Sequence, residues 1–264
     1  MKHFVMLLTL ATLSLPIMGG AQSPLNGTWK LNLDNINFSP KPDVYVLDKG
    51  MYSCKTCTPP YTIKADGTDQ AVTGHAYFDS AAIKVVNDHQ ILETDKKDGK
   101  VVATATITVS DDGKTLTSDC SDASNTNGGA PVTGKGSATR VAPGPKGSHA
   151  VSGSWKMAKI NTISDNGVVF TYQVSGNQLT MTAPTGQSYT ATLDGTEAPM
   201  KGDPGVTTVS VKMVGKNTLV ETDKRNGKVV GVSRMTVAAG GKSATVVATD
   251  KLSNRTTTLV FEKQ

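Results

Sequence analysis

Three cysteines are the residues of this sequence best suited to specific chemistry. Cys54 and Cys57 are separated by two intervening residues and are followed by Pro59-Pro60, and the third thiol is Cys120. A structural disulfide is the default for such thiols in an extracytoplasmic chain, either between Cys54 and Cys57 or from one of them to Cys120. An odd count then leaves one thiol unpaired.

Two other uses of these cysteines stay open. A zinc-like tetrahedral site needs a fourth ligand, for which His75 or His89 could join Cys54, Cys57 and Cys120. A thioredoxin-like redox pair lies at a helix N-terminus, where the helix dipole lowers the thiolate pKa. Here the motif precedes a predicted strand, which disfavours the redox reading, and we assign no metal or other cofactor.

The sequence contains no recognisable catalytic constellation. It has no Gly-x-Ser-x-Gly elbow for a nucleophilic serine and no glycine loop followed by Lys-Ser/Thr for phosphate. A non-enzymatic role is therefore favoured.

The N-terminus has the pattern of a cleavable secretory signal. Lys2 precedes an apolar run, and small residues lead to a cleavage site after Ala21. The run is shorter than the ~20 apolar residues that span a bilayer. We therefore expect residues 1–21 to be removed, leaving a secreted or periplasmic protein without a membrane span.

The charge pattern gives no indication of a nucleic-acid partner. The formal net charge is +5, but basic and acidic residues alternate in short turns such as residues 95–100 instead of forming one basic patch.

The second half of the sequence repeats the first. Residues 91–102 match residues 219–230 at eight of twelve positions, 128 residues later. The same offset relates the segment beginning at Tyr61 to the one beginning at Tyr189. Since a fixed period indicates duplicated modules, we predict a domain at 22–140, a Pro/Gly/Ser-rich linker at 141–152 and a second domain at 153–264.

Each copy is predicted to be all-β. Short alternating segments, one of them at 75–78, are separated by Gly-containing hairpin turns, which indicates an antiparallel up-and-down meander. Closing such a meander removes its exposed edges. We therefore predict two tandem barrels, each closed by its own first and last strands, with a two-sheet β-sandwich as the alternative.

Both copies open on a Gly-x-Trp motif, Gly27-Thr28-Trp29 and Gly153-Ser154-Trp155. This motif resembles the start of the calycin barrels, the superfamily of the lipocalins. The resemblance implies a lipocalin-like tandem-repeat secreted protein, without implying a particular activity. It also implies that each Trp packs against a basic residue near the last strand of its own copy, Arg140 for Trp29 and Arg255 for Trp155.

The leading functional hypothesis is binding of a small apolar or amphipathic ligand inside one or both barrels. Such pockets are mostly apolar, and the aromatic candidates for their lining are Trp29, Tyr77, Phe78, Trp155, Phe170 and Tyr172. Side chains alone can also fill an eight-stranded barrel. The alternatives are thus a packed module that contacts protein or glycan, and a metal or redox role at the cysteines.

Overall fold

The computed structural model describes residues 23–264, so the expected signal peptide lies outside the described residues. Regular structure in this range is β-strand, apart from one short 3-10 helix at Asp165–Gly167. No helix among residues 23–264 has the length and apolar character needed to cross a bilayer.

Twenty strands follow one another, ten in each half of the chain. The first ten are β1 Gly27–Asn37, β2 Asp43–Asp48, β3 Met51–Cys54, β4 Tyr61–Lys64, β5 Gln70–Ala71, β6 Ser80–Asn87, β7 Gln90–Lys97, β8 Lys100–Val109, β9 Thr115–Asp122 and β10 Val132–Pro143. The others are β11 Gly153–Ile163, β12 Val169–Ser175, β13 Gln178–Thr182, β14 Ser188–Thr192, β15 Asp194–Pro199, β16 Thr208–Met213, β17 Thr218–Arg225, β18 Lys228–Val237, β19 Ser243–Asp250 and β20 Arg255–Lys263.

The predicted tight hairpins form where glycine follows Asp or Asn. Asp98-Gly99 joins β7 to β8 with φ of 51° and 73°, and Asn226-Gly227 joins β17 to β18 with φ of 52° and 79°. Two successive positive φ values characterise the hairpin turn whose twist matches that of the strands.

The strands form two ten-stranded antiparallel sheets, each curled into a nearly closed barrel, which confirms the predicted fold class. Barrel 1 has the order β4-β3-β2-β11-β10-β9-β8-β7-β6-β5. Barrel 2 has the order β14-β13-β12-β1-β20-β19-β18-β17-β16-β15. Each barrel therefore contains the first strand of the other sequence copy.

The prediction that each copy closes with its own terminal strands is wrong. Trp29 in β1 pairs with Lys263 in β20 and with Phe170 in β12. Arg140 in β10 pairs with Trp155 in β11, which continues onto β2. The two copies have exchanged their first strands.

Chain connectivity explains this exchange. The stretch 141–152, expected to be an interdomain linker, instead ends β10 and forms the connection to β11, so that β10 and β11 are a continuous antiparallel hairpin. Short loops cost little closure entropy, and β11 is thus the nearest strand able to complete barrel 1. The chain crosses between barrels at 38–42 and 164–168.

The two Gly-x-Trp motifs place one buried indole in the core of each barrel. The indole nitrogens of Trp29 and Trp155 donate to the carbonyl oxygens of Leu25 and Val151, at 2.8 and 2.9 Å. Both tryptophans are buried in the hydrophobic cores of barrels 2 and 1, respectively. Gly153 has φ of 143°, and a Cβ there would lie 2.5 Å from the Arg140 guanidinium, so glycine makes room for the cation beside the indole.

The basic partners of the two tryptophans differ from those expected. Arg140 lies over the Trp155 ring at 4.0 Å, and Lys263 lies over the Trp29 ring at 4.7 Å. Arg255 contacts neither indole. It forms a 2.9 Å ion pair with Asp43 of barrel 1, because strand exchange brings the start of β20 beside the crossing at 38–42.

Residues 75–78, predicted to be a strand, form a loop between β5 and β6. This loop brings Tyr77 into hydrogen-bond contact with Asp203 of barrel 2, whereas Phe78 packs against the core of barrel 1.

Candidate ligand-binding site

Each barrel holds a pair of carboxyl groups contributed by one repeated Glu-Thr-Asp segment. In β7, Glu93 lies between Ile83 and Ala105 of the neighbouring strands. In β17, Glu221 occupies the corresponding place between Val211 and Ser233. Because strand residues alternate between faces, these glutamates share the inward face with buried Ile91 and Leu219, and the aspartates two residues further on do so too.

Tyrosine hydroxyl groups donate hydrogen bonds to the carboxyl groups of the two glutamates. Tyr61 donates to Glu93 at 2.9 Å. In barrel 2, Tyr189 and Tyr172 both donate to Glu221, the latter at 3.4 Å. Tyr61 and Tyr189 are themselves repeat counterparts, so the two barrels share one polar arrangement.

The environment of these carboxyl groups favours their protonated forms. Burial raises the pKa of Glu93 and of Glu221 above the ordinary glutamate value. Burial, assisted by Glu93 and Asp122, raises the pKa of Asp95 to about 7.

The pKa of Asp223 lies further from the ordinary aspartate value than the pKa of Asp95 does. Burial, assisted by the neighbouring Glu221 and Asp203, raises its pKa to about 8. Within residues 23–264, no lysine or arginine forms a salt bridge with this aspartate, with Asp95 or with either glutamate.

In barrel 1, an aromatic stack fills the space above the polar group. The His75 ring stacks on Phe78 with centroids 4.4 Å apart, and Tyr61 meets both rings nearly edge-on. Phe78 also packs against the hydrophobic core of barrel 1. Burial and the nearby Arg225 lower the pKa of His75, which favours the neutral ring in this stack.

In barrel 2, the corresponding positions carry smaller side chains and leave a cleft. Asp203, Gly205 and Val206 stand where barrel 1 has His75, Tyr77 and Phe78, at the same offset of 128 residues. The cleft has a volume of about 330 Å³. It is lined by Tyr77, Gly205, Val206, Asp223, Arg225, Val230, Gly231, Val232, Ser233, Ala248, Thr249, Asp250 and Leu252.

One carboxylate oxygen in the cleft wall lacks a donor from the described residues. Asp223 Oδ1 is buried and accepts no hydrogen bond from a nitrogen or hydroxyl donor of residues 23–264; the side-chain partner of this carboxyl group is the carboxyl group of Glu221. The residue paired with Asp223 on β18 is Gly231. A Cβ atom at Gly231 would lie only 2.9 Å from Asp223 Oδ2. The carboxyl group therefore has an acceptor available for a hydrogen-bond donor.

Of the six aromatic residues predicted to line a pocket, the structure places only Tyr77 in this cleft. Trp29 and Trp155 are buried in the cores of barrels 2 and 1, respectively, and Phe78 belongs to the stack in barrel 1. Phe170 and Tyr172 pack against each other in the core of barrel 2, with ring centroids 4.9 Å apart.

The cysteines do not form one cluster. Cys54 and Cys57 form a disulfide, which confirms that alternative, and Cys120 is a free, exposed thiol on β9. No three potential metal-ligating side chains converge anywhere in residues 23–264.

Sequence reasoning missed the four inward carboxyl residues, Glu93, Asp95, Glu221 and Asp223. The signal was present, since Glu-Thr-Asp is identical in both copies and lies in phase with the buried Ile91 and Leu219. Asp95, expected to belong to a short charged turn, lies in β7 instead.

Neither a family model nor a curated protein matches the sequence. The relation to the calycins therefore stays a prediction from the Gly-x-Trp motifs.

Proposed function

We propose that this chain is a secreted or periplasmic, lipocalin-like, non-enzymatic protein that binds a small amphipathic molecule in the cleft of barrel 2. The observation that carries the proposal is the buried Asp223 Oδ1, which accepts no hydrogen bond from a nitrogen or hydroxyl donor, in the wall of a cleft of about 330 Å³. A buried acceptor without a partner costs free energy, and a ligand that supplies a donor recovers it.

The walls of the cleft suit a ligand with one apolar and one polar end. Val206, Ala248 and Leu252 offer apolar surface, and Tyr77 adds an aromatic ring. Most small-molecule sites combine such surface with a few placed polar groups, in volumes upwards of ~300 Å³. The apolar part of the ligand would lie against these side chains.

The polar end would be a hydrogen-bond donor such as an amine or a hydroxyl group. Asp223 and, deeper in the barrel, Glu221 present acceptors, and neither forms a salt bridge with Arg225, which also lines the cleft. A ligand whose polar end is a carboxylate or phosphate would place like charges together once Asp223 ionises, which is unfavourable.

A fluorescence titration with 1-naphthylamine tests this proposal. This small aromatic amine carries no charge between pH 6 and pH 9, so only the protein titrates. We expect saturable binding of one molecule, tighter at pH 9 than at pH 6, because ionised Asp223 is the stronger acceptor.

Asp223→Asn and Asp95→Asn form a matched pair of variants. At pH 9, Asp223→Asn should bind 1-naphthylamine about tenfold more weakly than wild type, because the variant loses a hydrogen bond to a charged group. Asp95→Asn, the same change in barrel 1, should bind like wild type. Equal affinities in the two variants, or no binding by wild type, would show the proposal to be wrong. Native mass spectrometry of protein from its source would then seek the ligand itself.

A further inference from the structure

The cleft of barrel 2 has one wall that comes from barrel 1. The hydroxyl group of Tyr77, in the loop before β6, donates a hydrogen bond to Asp203 Oδ1 of barrel 2 at 3.0 Å. Burial and the neighbouring Asp203 raise the pKa of Tyr77, so the hydroxyl keeps its proton and acts as the donor.

Asp203 is held by three donors at once. Its Oδ1 also accepts the Gly205 amide at 2.7 Å, and its Oδ2 accepts the Asn125 side-chain amide at 3.1 Å. Tyr77 and Asn125 both belong to the first half of the chain, whereas Asp203 belongs to the second. We call this group of Tyr77, Asn125, Asp203 and Gly205 the latch.

The Tyr77 ring fits against a position that must lack a side chain. A Cβ on Gly205 would lie 2.2 Å from the Tyr77 hydroxyl oxygen, far inside van der Waals contact. Gly205 is also the repeat counterpart of Tyr77. The two copies thus differ in a complementary way, with a ring in one loop and an empty place for it in the other.

We propose that Tyr77 is the specificity-determining wall of the barrel 2 cleft and that the latch holds it there across the interface between the barrels. This inference rests on the proposed function for its ligand but concerns which ligands fit. The ring limits the length of an apolar group that the cleft accepts, and barrel 1 receives no equivalent wall because its counterpart is Gly205.

Two aromatic amines of different length test the wall. We would measure the affinities of two-ring 1-naphthylamine and three-ring 1-aminoanthracene for wild type, Tyr77→Ala, Tyr77→Phe and Thr73→Ala. Thr73 is exposed in the same loop and serves as the matched control. Tyr77→Ala should shift the affinity ratio about tenfold in favour of the longer amine, whereas Thr73→Ala should leave it unchanged.

Hydrogen exchange of the free protein tests the latch without any ligand. Tyr77→Phe keeps the ring but removes the donor to Asp203. Exchange in the segment 203–206, which includes the Gly205 amide bonded to Asp203, should then be about tenfold faster, as expected for a lost hydrogen bond to a charged group. Segments around Trp155 in barrel 1 should exchange as in wild type.

The outcomes separate the two proposals. If wild type binds the amines but Tyr77→Ala keeps the wild-type ratio, the wall is wrong and the proposed function stands. Unchanged exchange in Tyr77→Phe would show the latch to be wrong. Binding of neither amine by wild type would overturn the proposed function and, with it, the selective role of Tyr77.

Discussion

The Lys263 ammonium lies over the ring of Trp29, 4.7 Å from its centre, so that the last strand of the chain covers the indole of the first. The same ammonium donates to the carbonyl oxygen of Pro24 at 2.9 Å. Arg140 and Trp155 repeat this relationship at 4.0 Å in barrel 1. Each barrel therefore contains a buried indole beneath a cation, with the two groups supplied by neighbouring strands of that barrel.

We expect the two tryptophans to be equally important for stability. Trp29→Ala and Trp155→Ala each leave a large void in a fully buried site and should each lower the free energy of unfolding by about 3–5 kcal/mol. Urea denaturation followed by circular dichroism measures this. Lys263→Met, which removes the cation but keeps apolar volume, should cost about 1 kcal/mol or less. A loss below that of Lys263→Met for either Trp variant would contradict the stabilising role of the buried indoles.

Engineered disulfides distinguish strand exchange from self-closure. Lys30 and Glu262 are register partners in β1 and β20, and directly opposed residues are close enough for a disulfide. In a Cys120→Ser background, Lys30→Cys with Glu262→Cys should form an intramolecular bond, detected by peptide mass mapping. The control pairs Lys30→Cys with Thr139→Cys, which self-closure would bring together. A bond in the control but not in the first variant would show that the exchange is wrong.

Stability should fall as pH rises from about 4 to about 8. The pKa of Asp95 is raised to about 7 and that of Asp223 to about 8, from an ordinary value of 3.8. Between these limits the folded state binds more protons than the unfolded state, and ionisation therefore favours unfolding. Urea midpoints at pH 5 and pH 8 measure the slope. The double variant Asp95→Asn with Asp223→Asn should flatten it, whereas an equally steep decline in that variant would place its origin elsewhere.

Exchanging the residues that differ between the loop before β6 and the loop before β16 should remove the cleft from barrel 2 or create one in barrel 1. Val206→Phe places in barrel 2 the ring that fills barrel 1, and we expect it to abolish 1-naphthylamine binding at a cost of about 1–3 kcal/mol in stability. His75→Asp with Phe78→Val should create a second cleft and raise the stoichiometry from one to two. Both are measured by titration, with thermal melts to verify folding. Wild-type affinity in Val206→Phe would refute this assignment of the cleft.

Local features of the fold were predictable because local residues determine them. The turns at Asp98-Gly99 and Asn226-Gly227 need positive φ, which glycine and its polar neighbour supply. The repeat and the hairpin spacing led to the two barrels. The Cys54 to Cys57 bridge was among the stated alternatives.

The strand exchange was not predictable from the repeat. Duplicated copies offer two nearly identical places for a first strand, one next to Arg140 and one next to Lys263, and the pattern of residues is satisfied by either assignment. Only the path through residues 144–152 favours β11 as the neighbour of β10. Repetition identifies the unit but leaves open which copy completes which barrel.

The cleft was missed for a different reason. Residues 75–78 mix aromatic and small side chains in a way that imitates a strand, and they form a loop. The cleft arises where barrel 2 has Gly205 and Val206, residues without a chemical signature of their own. A site marked by small side chains becomes visible only when the two copies are compared position by position.

The exchanged first strand also fixes the order in which the molecule can be completed. Barrel 1 has all its strands once the chain has reached Ile163. Barrel 2 needs β1, which precedes every strand of barrel 1 in the sequence, together with β20, which follows all of them. β1 therefore finds both of its neighbours, β12 and β20, only after the intervening strands have been synthesised, and any truncation before residue 255 leaves it without β20.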